Sequence, residues 1–122
     1  MKAWTDLKRN PHNIMIGTPK IGKDCWIGFF TVLDASGGLT IGDRTIISSG
    51  VHIYTHENRS RHEVERSPVT IGDGCYIGAN AVIMMGCTIG DSAVVGAGAV
   101  VTKGTYIKVG ETWVGCPAKR VK

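Results

Sequence analysis

IGDGCYIGANAVIMMGCTIGDSAVVGAGAVVTKGTY, residues 71–106, divides without remainder into six consecutive hexads. Each hexad opens on an aliphatic residue (Ile71, Ile77, Ile83, Ile89, Val95, Val101), and glycine follows directly in four of them, at Gly72, Gly78, Gly90 and Gly96. Small or modest residues fill the fifth place: Cys75, Ala81, Cys87, Ala93, Ala99 and Thr105. Six is a multiple of the strand's period of two, so the first and fifth places of every hexad face the same side, which must be a core. One hexad cannot bury that side alone, and the glycines suit corners between short strands. The spacing therefore predicts an all-β solenoid of stacked repeats.

Outward from this block the same pattern recurs with two interruptions. Hexads start at Ile21 (IGKDCW), Ile27 (IGFFTV) and Leu33, but the next clear one starts at Ile41, so two extra residues sit around Ser36 to Gly38. An insertion of that kind belongs at a corner of the coil, where solenoids place binding features. IGDRTI and ISSGVH then carry the repeat to Ile53, after which HENRSRHEVERSP is polar throughout. Continuing the register would put Arg59 and Glu65 into the core, so residues 57–68 are expected to form an external loop that returns through Pro68, Val69 and Thr70. Residues 1–20 read as an N-terminal cap, with Ile14 and Ile16 hinting at a first strand, and 107–122 as a weakening C-terminal end (IKVGET, WVGCPA). The whole chain is expected to be one domain.

A 122-residue chain wound this way encloses only a narrow column of core, so oligomerisation is expected. Its 17 glycines and 20% charged residues fit a glycine-cornered coil. No apolar run approaches the ~18 residues of a membrane span and the start has no signal-peptide core, which points to a cytoplasmic protein. The formal charge of +4 comes without an arginine cluster interleaved with aromatics, so nucleic acid is not an expected partner. Lys103, Lys108, Lys119, Arg120 and Lys122 gather in the C-terminal part and suit a phosphorylated co-substrate. Cys25, Cys75 and Cys87 fall on the inward fifth place and read as core thiols, whereas Cys116 lies off that register.

His56 stands where the coil leaves its register for the polar segment, at the base of a loop on a rigid scaffold. The run GVHIYTHEN, followed by PVTIGDGCYIGANAVIMMGCTIGDSAVVGAGAVVTK and later VGCPAKRV, resembles the hexapeptide-repeat acyltransferases. It is most similar to maltose and galactoside O-acetyltransferases and to polysaccharide O-acetyltransferases, over roughly residues 21–122. The resemblance implies a left-handed parallel β-helix with three hexads per triangular coil, assembled as a homotrimer with the site between subunits. It implies acetyl-CoA as co-substrate, no metal, and a sugar-type acceptor, with His56 as general base. A sugar hydroxyl is a poor nucleophile toward a thioester, and a neutral imidazole that takes its proton contributes typically 10²–10⁴-fold. No Ser or Cys stands in a nucleophile motif, which favours direct transfer in a ternary complex.

The same resemblance assigns Asp34, in TVLDA, to the border of the acceptor pocket. It lays coenzyme A along Tyr76, Ala79 and Ala97, then Thr102 and Lys103 at the adenine end, with Arg120 and Lys122 as phosphate partners. The chain carries an aromatic, Phe29 or Phe30, where the family usually has an asparagine before this aspartate, and Cys116 where many members have asparagine.

Three other readings compete. Nucleotide-sugar N-acetyltransferases share the fold, and their amine acceptors need no base if already deprotonated. The γ-type carbonic anhydrases hold zinc between hexapeptide coils, but of His12, His52, His56 and His62 the middle two are four residues apart across a corner, with no third histidine one or two coils later. A silent scaffold would give the polar segment and the TK and PAK endings no reason to occur together.

Overall fold

A computed structural model describes residues 12–122. Fifteen of its strands wind as five coils, each giving one strand to each of three parallel sheets. The first sheet stacks β1 (Ile14–Ile16), β4 (Val32–Asp34), β7 (His52–Ile53), β12 (Val82–Ile83) and β15 (Val100–Val101). The second stacks β2 (Lys20–Ile21), β5 (Leu39–Ile41), β10 (Val69–Ile71), β13 (Thr88–Ile89) and β16 (Tyr106–Ile107). The third stacks β3 (Trp26–Ile27), β6 (Ile46–Ile47), β11 (Tyr76–Ile77), β14 (Val94–Val95) and β17 (Thr112–Val114). This is the expected left-handed parallel β-helix of hexapeptide repeats, and no helix occurs among the described residues.

The repeat folds this way because its apolar first places align coil over coil. Leu33, Ile53, Ile83 and Val101 form one column, Ile41, Ile71, Ile89 and Ile107 a second, and Ile27, Ile47, Ile77 and Val95 a third. All are buried, and each fully buried aliphatic side chain contributes about 1.5–3 kcal/mol. The inward fifth places do more than fill space. Cys25 Sγ–H donates to the Gly42 carbonyl (2.9 Å), Thr45 Oγ1–H to Gly72 (2.7 Å) and Cys75 Sγ–H to Gly90 (3.1 Å), so each donor satisfies a corner carbonyl of the next coil. Burial pushes the Cys25, Cys75 and Cys87 thiols up, away from the thiolate a nucleophile needs.

The Ile-Gly-Asp signature has an equally local cause. A Cβ on Gly22, Gly42 or Gly72 would overlap the carboxylate of Asp43, Asp73 or Asp91 in the following coil. Those carboxylates accept the backbone N–H of Lys23 (3.0 Å), Asp43 (2.8 Å) and Asp73 (2.8 Å) from the coil before. Gly and Asp are therefore two halves of one contact between consecutive coils at the corner joining the second and third sheets.

Irregularity collects at the corner between the first and second sheets. The two inserted residues lie between β4 and β5, and the polar segment leaves the third coil between β7 and β10. It is not a structureless loop: β8 (His56–Ser60) and β9 (Glu63–Arg66) pair antiparallel as a hairpin. The sequence shows no period-two pattern there because the hairpin covers little core and leaves most of its side chains in solvent. At the far end the hexad WVGCPA does not continue the helix. The chain turns after β17 and β18 (Lys119–Arg120) runs back antiparallel, with Ala118 N–H donating to Val100 (2.8 Å) over the last coil. Of the expected N-terminal cap, β1 pairs with β4, and residues 1–11 lie outside the described residues. Among the described residues no helix is long and apolar enough to cross a membrane.

Candidate active site

Two stacked irregularities make the site. Asp34 ends β4 where the insertion begins, and Thr55 and His56 lie one coil later where the hairpin begins. Asp34 is fully buried. Its Oδ1 accepts the Ser36 N–H (2.9 Å), and its Oδ2 accepts the Thr55 N–H (2.9 Å) and His56 Nδ1–H. Thr55 Oγ1–H donates to the Asp34 carbonyl (2.9 Å) and in turn accepts the Gly37 N–H (2.8 Å). Burial alone would raise the Asp34 carboxyl, but the Ser36 and Thr55 N–H groups and then His56 outweigh it and hold it well below the usual carboxylate range. An ionised carboxylate only accepts, so the imidazole proton sits on Nδ1 and the Nε2 lone pair is left free, with one third of the side chain open to solvent.

This geometry changes the expected role of Asp34. Read as the border of an acceptor pocket, it is instead enclosed beneath His56 with both oxygens engaged, and it has no surface to offer a ligand. Thr55, which the sequence reading passed over, and Ser36 and Gly37, read there as an insertion at a corner, complete the cradle. The signal was present in the two breaks of register, since insertions at one corner of adjacent coils must stack on each other.

Gly37 is the tightest point. A Cβ there would overlap the Thr55 carbonyl oxygen and crowd Ser67 N and Arg66 Cβ at 3.1 and 3.2 Å. Gly37→Ala is expected to displace the Thr55–His56 segment while leaving the coil intact. Its activity should fall at least tenfold, since small misplacements of catalytic groups are costly, with a far-ultraviolet circular dichroism spectrum like that of the parent. Parental activity in that variant would show the cradle to be tolerant.

The residues expected to line a coenzyme groove fall into two groups. Thr102 and Lys103 sit at the same corner as His56, two coils on, and Lys103 Nζ meets Glu65 (3.2 Å) and Glu57 (4.0 Å), which face each other across the hairpin. Tyr76 is exposed on the third sheet. Ala79 and Ala97 stack at the corner between the third and first sheets, where Gly98 N–H donates to Ala79 (2.8 Å). Arg120 Nε pairs with Glu111 (3.1 Å), and Lys122 is exposed at the chain end. One chain therefore holds His56 with Lys103 at one corner and Tyr76, Ala79 and Ala97 at or beside another. Among the described residues no group of three or more His, Cys, Asp or Glu is placed to hold a metal ion.

The hexapeptide repeat of succinyl-transferase matches residues 20–55 and 68–103, together more than half of the chain. The chain belongs to this hexapeptide-repeat family. Among solved structures it is similar to a maltose O-acetyltransferase from Clostridium difficile, with 27% identity, a TM-score of 0.74, and coverage of 92% of this chain and 66% of that one. A galactoside acetyltransferase in complex with coenzyme A is 26% identical, with a TM-score of 0.67 and coverage of 90% and 63%. AntD, an N-acyltransferase from Bacillus cereus in complex with dTDP and 3-hydroxybutyryl-CoA, shares the fold at 23% identity and a TM-score of 0.83, with coverage of 91% and 65%. The chain thus spans 63–66% of the length of these proteins. No curated protein matches it by sequence.

Proposed function

We propose that this chain is an acetyl-CoA-dependent O-acetyltransferase acting on a hydroxyl of a sugar or polysaccharide precursor. The observation that carries the reading is the buried Asp34 carboxylate bonded to His56 Nδ1, which leaves Nε2 as a base at the mouth of the corner. Nε2 takes the acceptor's hydroxyl proton as its oxygen attacks the thioester carbonyl. When the tetrahedral intermediate collapses, the thiolate of coenzyme A leaves and the same imidazole returns the proton to it. The Asp34 charge stabilises the imidazolium between these two steps. An acceptor hydroxyl needs such a base throughout, whereas an amine that arrives deprotonated does not. The likeness to the maltose and galactoside enzymes supports the same choice.

The assembly in this reading is a homotrimer. The outward column of the first sheet is Ile14, Val32, His52, Val82 and Val100, and that of the third is Trp26, Ile46, Tyr76, Val94 and Thr112. The second presents Lys20, Thr40, Thr70, Thr88 and Tyr106. Two largely apolar faces and one polar face suit a prism that packs two faces against copies of itself around a threefold axis. That packing is what would bring Tyr76, Ala79 and Ala97 of one subunit to His56 and Lys103 of its neighbour, with coenzyme A between them. A reaction that consumes acetyl-CoA belongs, in this reading, to the cytoplasm.

The test is acceptor-dependent release of free coenzyme A from acetyl-CoA, measured by thiol titration with matched panels of hydroxyl and amino sugars, alongside light scattering. Turnover on hydroxyl sugars by a trimer is the expected result. Release driven only by amino sugars would replace the reading with N-acetylation, and no acceptor dependence at all would remove it.

A further inference from the structure

His52, Tyr54 and His56 alternate along the end of β7 and the start of β8, and this spacing lines up their rings. Tyr54 stands edge-on to His52, with ring centroids 5.9 Å apart at 74°, and edge-on to His56, with centroids 6.4 Å apart at 85°. The Tyr54 hydroxyl is joined to His52 Nδ1 at 2.9 Å, and the Tyr54 backbone N–H is fixed to the Ile83 carbonyl at 2.9 Å. All three side chains are half-buried.

We propose that Tyr54, tethered by His52, is a positioning residue for His56. The bond from Nδ1 to Asp34 holds one atom of the imidazole but leaves play in the side chain's two torsions, and Nε2, on the far side of the ring, moves with them. A ring packed edge-on against the imidazole removes this freedom. Tyr54 can do so only if its own ring is held, and a tyrosine at a half-open surface has two torsions to lose. The hydroxyl bond to His52 supplies the second anchor, so orientation runs from His52 through Tyr54 to His56. His52 thus has a task that its place in an outward column of aliphatic residues, between Val32 and Val82, does not otherwise explain. An edge-to-face ring pair biases a conformation by roughly two- to tenfold, and that sets the size of the effect.

The inference rests on the acyltransferase reading for its kinetic arm alone. Tyr54→Phe and His52→Ala each cut the tether and leave a ring at position 54. Each is expected to lower kcat on a hydroxyl sugar about two- to tenfold with KM for acetyl-CoA unchanged. The double variant should be no worse than either single one, because both remove the same bond. His52→Asn, whose side-chain amide can still meet the tyrosine hydroxyl, should recover most of the loss. The second arm needs no turnover. In nitrogen-15 spectra of the substrate-free protein, the His56 ring signals should show the Nδ1–H tautomer as one sharp set in the parent, and should broaden in Tyr54→Phe and His52→Ala as the ring samples other angles.

Broadened His56 signals support the proposal even if no acceptor is turned over, in which case the functional reading alone has failed. Unchanged His56 signals in both single variants overturn it, as do losses that multiply in the double variant.

Discussion

His56→Ala lowers kcat for acetyl transfer by two to four orders of magnitude, roughly the contribution of a positioned general base, while KM for acetyl-CoA stays where it was. The split follows from geometry. Nε2 is the ring nitrogen left to act in an imidazole pinned at Nδ1, so its removal takes away proton transfer and leaves the residues expected to hold the coenzyme, Lys103 among them, in place. His62, exposed near the tip of the hairpin, is the matched control, and His62→Ala should keep parental kcat. His52 cannot serve that purpose, because its partner Tyr54 packs against the His56 ring. The comparison is made on one hydroxyl acceptor. Near-parental kcat for His56→Ala on every hydroxyl substrate would end the O-acetyltransferase reading.

Asp34→Asn should be nearly as damaging to turnover, on the order of 10²- to 10⁴-fold, and should cost more stability than His56→Ala, which leaves the Ser36 and Thr55 N–H bonds to the carboxylate in place. Both carboxylate oxygens receive backbone N–H groups, one from Ser36 and one from Thr55. An amide has a single oxygen, so its NH₂ must face one of those donors, an arrangement worth about 1–3 kcal/mol against folding. The negative charge that stabilises the imidazolium is lost as well. The pH dependence has a fixed sign. The native Asp34 carboxyl lies below its ordinary value, so in acid the unfolded chain binds the proton more readily than the folded one. The stability that Asp34 contributes is fully present above the ordinary aspartate value of about 3.9, and is lost as pH falls below it toward the native value. Urea midpoints at neutral and acid pH should therefore converge for parent and Asp34→Asn as the pH drops. A constant gap between them would mean that the carboxylate is not held ionised by its cradle.

The solenoid was legible because a period-six pattern leaves few ways to bury Ile71, Ile77 and Ile83 together, and the register break at Ser36 to Gly38 fell where the insertion is found. The hairpin was not legible as strands. Its residues pair through backbone with little burial, and hydrophobic alternation is a signal of burial, not of pairing. Asp34 was found as the border of an acceptor pocket, not as the partner of His56. In strict register β4 runs on beside β7, which sets Asp34 against Tyr54, and only the departure of the chain at Thr55 swings His56 over the carboxylate. Lys103 is expected to meet a phosphate, and nothing in a linear reading shows that Glu57 and Glu65 also meet it. Those carboxylates face each other only once the hairpin is formed.

The interlock of Gly42 with Asp73, and of its counterparts along the same edge, bears on how such a protein can change over generations. A residue added or lost there would unseat a carboxylate from the coil below, and the fault would pass to every later coil. The corner joining the third and first sheets is closed in a similar way, since a Cβ on Gly28 or Gly78 would strike Ser49 N or Ala97 N at 2.5 Å. The remaining edge repeats no such clasp from coil to coil, its tight contact being the single one of Gly37 with the Thr55 carbonyl, and that is where both the two-residue insertion and the hairpin are found. Selection could thus lengthen, shorten or replace the segments around His56 while the rest of the prism kept its count of six.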